Sequence, residues 1–304
     1  MFDKTQVSII GGGLMGCGIA QVFASSGIDV CIYEPIEAAR AQIKSRVCDN
    51  LVSIGRSASI AERISIKDDL FQAVKEADFV FEAAPEKIEI KRSIFSSLIK
   101  LVRKDCILAS NTSVIPISDI ADGFNFTGRI VGTHWWNPPY LVPLVEVVRS
   151  NQTSLETINQ MMALLEHVGK KPAYIEKDVA GFVGNRLQHA LWREAIALVN
   201  DGVCSAETLD DVVKNSFGLR LPVLGPIENA DLVGLDLTLD IHNVILRNLN
   251  RDVMPSAILQ EKVDRGELGM KTQRGLLTWT DESAAGVRRR LARHLVSVTA
   301  NLRD

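Results

Sequence analysis

The 304-residue chain has little cysteine, no dense block of one charge and no long apolar run. Its five cysteines (Cys17, Cys31, Cys48, Cys106 and Cys204) are scattered, odd in number, and form no Cys-x-x-Cys pair. That usage argues against a disulfide framework and a cysteine zinc site, no metal is expected, and a reducing cytoplasm fits it. A net charge of −3 leaves no basic surplus for nucleic acid or an anionic membrane. The Arg288-Arg289-Arg290 run reads as one solvated helix face. No apolar stretch approaches the roughly 20 residues that span a bilayer. Glycines interrupt the first apolar run, so no signal peptide is expected there. Repeats and low-complexity tracts are also absent. What remains is ordinary globular composition, 46% hydrophobic and 23% charged, with length for two domains that each bury a core.

The first part alternates short β-branched runs with helical periodicity. Strands are expected at Gln6–Ile10, Asp29–Tyr33, Ile64–Ile66, Asp78–Ala83 and Cys106–Ala109, with helices between them at 13–26, 36–54 and 87–102. Such alternation implies βαβ units and a mostly parallel sheet covered on both faces. Ile130–Trp136 and Leu144–Val148 read as further strands, Ser154–Val168 as a helix and Ala173–Ile175 as a last strand. From Gly181 onward the pattern is almost wholly helical, with the Gly225-Pro226 pair and loops as separators. The expected architecture is a Rossmann-type doubly wound α/β domain over 1–180, followed by an all-helical domain over 181–304.

Gly11-Gly12-Gly13-Leu14-Met15-Gly16 fits Gly-x-Gly-x-x-Gly. The pattern is weak alone, but here it follows a strand and opens a helix. Gly11 permits the tight turn, Gly13 lets the backbone approach a pyrophosphate at the helix N-terminus, and Gly16 allows close helix–strand packing. Glu34, at the end of the second strand, can accept from both hydroxyls of an adenosine ribose and repels a 2′-phosphate, which favours NAD over NADP.

Two strand-like runs each carry one ionisable residue, His134 and Glu146, where a core would take Leu or Val. A dehydrogenase needs a base for the hydroxyl proton, and a carboxylate can fix the tautomer of an imidazole base. If the two strands are neighbours, Glu146 reaches His134. A core histidine bonded to a carbonyl, with an edge-strand Glu facing water, would serve the same sequence. Ser110-Asn111-Thr112-Ser113 follows a strand directly, where open α/β sheets bind ligands, though turn chemistry alone also selects such residues. Asn185 opens a helix at the domain boundary and can bond a substrate oxygen or cap the helix. Glu82 and Glu86 follow the fourth strand, as cleft-lining groups or as a cap for the next helix.

Together these motifs resemble the 3-hydroxyacyl-CoA dehydrogenase family. Gly11–Gln21 is similar to its opening, Ser110–Ser113 to its S-N-T-S, His134–Pro138 to H-F-F-N-P, Leu144–Val147 to L-V-E-V, and Gly181–Leu187 to G-F-I-V-N-R-L. The resemblance implies an NAD-dependent dehydrogenase with His134 as base, Glu146 as its orienter, Ser113 and Asn185 on the substrate, and Asn137 beside the nicotinamide. Leu14 and Met15 belong to the cofactor loop, and Trp135 is placed with the substrate residues. A homodimer formed through the helical domain is implied as well. Members that handle CoA carry a longer Lys-rich insertion, whereas Ala38–Lys67 holds only Lys44 and Lys67 as lysines. The stretch Asn137–Pro143 is similar to the branch acting on free L-gulonate, carnitine and a pyridine aldehyde acid. The expectation therefore leans to a free small hydroxy acid. A CoA thioester, an aromatic aldehyde acid and a non-catalytic NAD-binding structural protein are the alternatives. The β-hydroxyacid dehydrogenases share the glycine loop but use a catalytic Lys, and the helix after Gly181 offers Asn185 and Arg186 instead.

Overall fold

The structure, a computed structural model, describes residue 2, residues 4–125 and residues 127–301, the side chains of the last three excepted. Two compact units emerge, one built from the chain up to Asn185 with the segment from Arg293 onward, the other from Arg186–Ala292.

The first unit is an eight-stranded sheet with helices on both faces. In chain order its elements are β1 (Gln6–Ile10), α1 (Leu14–Ser25), β2 (Asp29–Tyr33), α2 (Glu37–Ser53), β3 (Ile64–Lys67), α3 (Leu70–Val74), β4 (Phe79–Glu82), α4 (Ile88–Leu101), β5 (Ile107–Ser110), α5 (Ile117–Ala121), β6 (Ile130–Trp135), β7 (Leu144–Val148), α6 (Leu155–His167) and β8 (Lys171–Ile175). The strand order is β3-β2-β1-β4-β5-β6-β7-β8. Strands β1 to β6 are parallel, β7 runs antiparallel to β6, and β8 is parallel to β7. The order reverses between β1 and β4, which opens the crevice that nucleotides use in such sheets.

Strands buried on both faces need near-continuous apolar sequence, and β4 and β5 are buried at every position. One face packs Phe23, Phe81, Trp135 and Met161; the other packs Val80, Phe95, Leu98 and Ile117. Helix α2 presents Ile43, Val47 and Leu51 to the core, a spacing of four that makes one stripe. Ser154 caps α6, its side chain accepting from the Thr157 amide.

The second unit is helical: α7 (Gly184–Asn200, which begins in the first unit), α8 (Ala206–Lys214), α9 (Pro226–Val233), α10 (Leu235–Ile245), α11 (Ala257–Asp264) and most of α12 (Asp281–Asn301). Helix α9 departs from the sequence expectation. Gly225-Pro226 reads as a separator, but Pro226 stands at the first helical position, where its missing amide costs nothing. The Glu228 carboxylate accepts from the Gly225 amide and completes the start. Among the described residues of 186–292, only Ala284 is buried. Val223, Ile227, Leu232, Val253 and Met254 are each at least 70% exposed. No described helix is long and apolar enough to cross a membrane.

Candidate active site

The glycine loop joins β1 to α1. Gly11 has φ +107°, and a Cβ there would lie 2.8 Å from the Ala83 carbonyl oxygen. A Cβ on Gly16 would fall 1.9 Å from the Gly11 oxygen, so only glycine lets α1 start this close to the strand. At Gly13 nothing lies within 4 Å of the Cβ position. The loop is therefore tight where the chain turns and open at Gly13, which fits a pyrophosphate at the N-terminus of α1. Leu14 is exposed and Met15 half-buried beside it. Glu34 is 8% exposed and accepts from the Gly12 amide at 2.8 Å and the Ile36 amide at 3.0 Å. Its carboxylate is thus held against the loop.

The β6–β7 hairpin sets His134 directly opposite Glu146. Opposed residues share one face of a sheet, so their side chains meet. His134 Nδ1 lies 2.7 Å from Glu146 Oε2, with the two side chains 4% and 2% exposed. The other carboxylate oxygen accepts from the Val183 amide at 3.0 Å and the Gly184 amide at 3.1 Å. Burial pushes the Glu146 carboxyl up, but the bonds from His134, Gly184 and Val183 outweigh it, and the net shift is downward. One carboxylate thus orients the imidazole and receives the free amides at the start of α7. Phe182, fully buried with φ 48°, packs its ring 5.7 Å from that of His134.

The structure brings Ser113 and Asn185 together: Asn185 Nδ2 donates to the Ser113 carbonyl at 2.9 Å. It does not bring Trp135 to them. Strand alternation turns Trp135 to the opposite face from His134, where it is 2% exposed and packs edge-on against Phe23 and Phe81. Trp136 stands on the face of His134 instead, its ring 5.1 Å away. A Cβ on Gly184 would come within 2.4 Å of Trp136 Cζ2, so the indole rests on the glycine backbone. The period of two already favours Trp136 over Trp135, a signal that residue type alone obscures. Asn137 is exposed just beyond the carboxyl end of β6.

Glu82 and Glu86 do not cap α4, whose start has no side-chain cap. Glu82 is fully buried, accepts from Lys91 Nζ at 2.9 and 3.0 Å, and accepts from Ser110 Oγ at 2.6 Å. Glu86 accepts from Thr112 Oγ1 at 2.5 Å and from the Ser113 and Val114 amides. Burial pushes the Glu86 carboxyl up; Thr112, Lys91 and the two amides overcome it and hold it low. Lys91, fully buried between the two acids, was not singled out in the sequence. Asn111 Oδ1 accepts from the Trp135 amide at 3.0 Å and ties this loop to β6.

Comparison with known proteins matches this layout. Residues 6–179 match the NAD binding domain of 3-hydroxyacyl-CoA dehydrogenase, and residues 181–279 match its C-terminal domain. A 5-formyl-3-hydroxy-2-methylpyridine 4-carboxylate 5-dehydrogenase from Mesorhizobium japonicum is 36% identical over 299 residues, covering 96% of each chain. A probable 3-hydroxybutyryl-CoA dehydrogenase from Bacillus subtilis is also 36% identical, over 92% of this chain and 99% of its own. Among solved structures, a 5-formyl-3-hydroxy-2-methylpyridine 4-carboxylic acid 5-dehydrogenase described as an NAD+ dependent dismutase superposes with a TM-score of 0.91. It is 32% identical and covers 99% of both chains. With the nucleotide crevice and both domains accounted for, the chain belongs to the 3-hydroxyacyl-CoA dehydrogenase family and is an NAD-dependent oxidoreductase.

Proposed function

We propose that the chain oxidises a hydroxyl group β to a carboxylate or acyl group, with His134 as the base and Glu146 as its orienter. The observation that carries this reading is the buried 2.7 Å contact between His134 Nδ1 and Glu146 Oε2. Nδ1 is committed to the carboxylate, which leaves Nε2 as the nitrogen that takes the hydroxyl proton. Glu146, held ionised by three donors, then stabilises the imidazolium. Ser113 and Asn185 hold the substrate oxygen. The Gly11–Gly16 loop and Glu34 hold the dinucleotide, with Asn137 on the nicotinamide side. NAD, when bound, supplies the hydride acceptor.

A free small hydroxy acid is the favoured substrate class. A CoA 3′-phosphate and pyrophosphate call for several available cations. Four of the basic groups around α2 are engaged within the chain: Lys44 with the Ala61 carbonyl, Arg46 with the Gly12 carbonyl, Arg40 with the Glu34 and Pro35 carbonyls, and Arg63 with Asp29. A 3-hydroxyacyl-CoA is the second reading, favoured by the Bacillus subtilis relative at the same identity. The test is NADH production over a matched panel of 3-hydroxybutyryl-CoA, free aliphatic hydroxy acids, carnitine, L-gulonate and aromatic hydroxymethyl or formyl acids. Turnover on the thioester alone sinks the free-acid reading. His134→Ala with near-normal turnover sinks the base.

The working form in this reading is a cytoplasmic homodimer, with 1–180 serving the cofactor and 181–304 serving substrate and dimerisation. Support comes from the second unit, where only Ala284 is buried among the described residues. A helical unit of that size needs an interior, and a second copy can supply one. Light scattering that gives the monomer mass at working concentration counts against it. All five cysteines are free, in keeping with a reducing compartment.

A further inference from the structure

Lys170 is a buried cation with no part in the chemistry above. It is 9% exposed, at the residue before β8, where the turn closing α6 delivers it: its amide donates to the Leu165 carbonyl at 2.9 Å. Its ammonium reaches across to the segment between β6 and β7. Nζ donates to the Pro139 carbonyl, and to the Val142 carbonyl at 2.9 Å. It also lies 5.6 Å from the ring centre of Trp135, over the face of the indole. An aliphatic residue would fill the same core position without bringing a charge out of water, so the ammonium calls for its own explanation.

The segment it grips is Asn137–Pro143, which carries Asn137 at its exposed start. The rest of the segment is keyed into the cofactor side of the unit. Pro139 is buried against Gly18 of α1, where a Cβ would meet its ring at 2.8 Å. Tyr140 Oη donates to Asn50 Oδ1 of α2 at 3.2 Å. The Leu141 and Val142 amides both return to the Pro138 carbonyl at 3.0 Å. Two of the segment's carbonyls are thus answered by a single ammonium from the residue just before β8, and the next residue, Lys171, donates its amide to the Pro143 carbonyl at 2.9 Å. Buried carbonyls need donors, and a charged donor holds them more firmly than a neutral one.

We propose that Lys170 is a positioning residue for the cofactor, clamping the Asn137–Pro143 segment so that Asn137 stands at the nicotinamide end of the crevice. The proposal rests on the reading that places Asn137 there, and it concerns binding of NAD alone, whatever the substrate. Lys170 itself touches no reacting atom. Its removal unties the Pro139 and Val142 carbonyls and loosens Asn137, while the glycine loop and Glu34 stay as they are.

The test compares two probes on the full chain, NADH and ADP-ribose, by calorimetric titration. ADP-ribose engages the loop and Glu34 but has no nicotinamide. Lys170→Met is expected to weaken NADH about tenfold and leave ADP-ribose within about twofold. Lys170→Arg should recover part of the NADH affinity. The double variant Lys170→Met/Asn137→Ala should bind NADH no more weakly than the weaker single, because both act through one contact. Equal losses for both probes, unchanged NADH affinity, or additive losses in the double variant overturn the proposal. Lys170→Gln, which keeps one donor, gives the same comparison if the Met variant fails to fold, with an intermediate NADH loss expected. The substrate panel is unaffected by either outcome, so a failure here and a failure of the dehydrogenase reading are separable.

Discussion

Replacing Glu146 by Gln and by Ala separates the two tasks of one carboxylate. In Glu146→Gln the amide oxygen can keep the Val183 and Gly184 bonds, now 3.0 and 3.1 Å. Its NH2 group then faces His134 Nδ1, which must act as acceptor, so the ring proton moves to Nε2 and blocks the base. The comparable carboxylate-to-amide change in a hydrolase triad costs about 10⁴ in turnover, so a loss of at least about a thousandfold is expected with the fold intact. In Glu146→Ala three donors lose their acceptor. Each unsatisfied buried group costs about 1–3 kcal/mol, and the half-exposed site of Val183 takes the lower end. The sum is about 3–7 kcal/mol, or a melting temperature roughly 6–14 °C lower at about 2 °C per kcal/mol for a chain of this size. Thermal denaturation and steady-state NADH formation on the best panel substrate read the two effects. The reasoning is refuted if the Gln variant turns over normally, or if both variants melt at the same temperature.

Further outcomes follow from the same geometry. Glu146 and Glu86 titrate below their ordinary values in the fold, so their stabilisation is complete above the unfolded carboxyl value of about 4.3 and fades as pH falls through the folded values. Melting temperature should therefore drop below about pH 4.5, and less steeply in Glu86→Gln; an identical pH profile in that variant contradicts the assignment. Gly184→Ala sets a Cβ 2.4 Å from Trp136 Cζ2 and should cost about 1–3 kcal/mol, partly relieved by Trp136→Phe in a double variant. Glu34→Ser should lower the preference for NAD over NADP by at least about tenfold, and weaken NAD as the Gly12 and Ile36 amides lose their acceptor. A preference that does not move would mean the carboxylate faces away from the ribose.

The contact between His134 and Glu146 was legible because it is local. His134 and Glu146 lie twelve positions apart across one hairpin, and the alternation of each strand puts them on one face. The glycine loop was equally readable, since its spacing encodes a turn, a close approach and an open face in six residues. Trp135 was misplaced relative to Trp136 because two identical neighbours hide the period of two that separates them. Helix α9 was missed because Gly-Pro breaks helices in their interior yet starts them at their edge. Lys91 and Lys170 carried no motif. Their partners, Glu82 and the Pro139 and Val142 carbonyls, meet them only once α4 and β8 have packed, and no local spacing announces such a meeting.

If a second copy completes the thin interior of Arg186–Ala292, as proposed, handling of the protein changes. When a fold completes its core with a second molecule, the unfolding equilibrium includes a concentration, and dilution acts like a denaturant. Melting temperature should climb with protein concentration, and specific activity should sag at the nanomolar levels used in sensitive assays. NAD, bound by the other unit, would stabilise that unit without supplying the interior that the second copy provides. Two samples of the same chain, pure and correctly folded, would then differ in apparent quality for no reason beyond the volume in which they were kept.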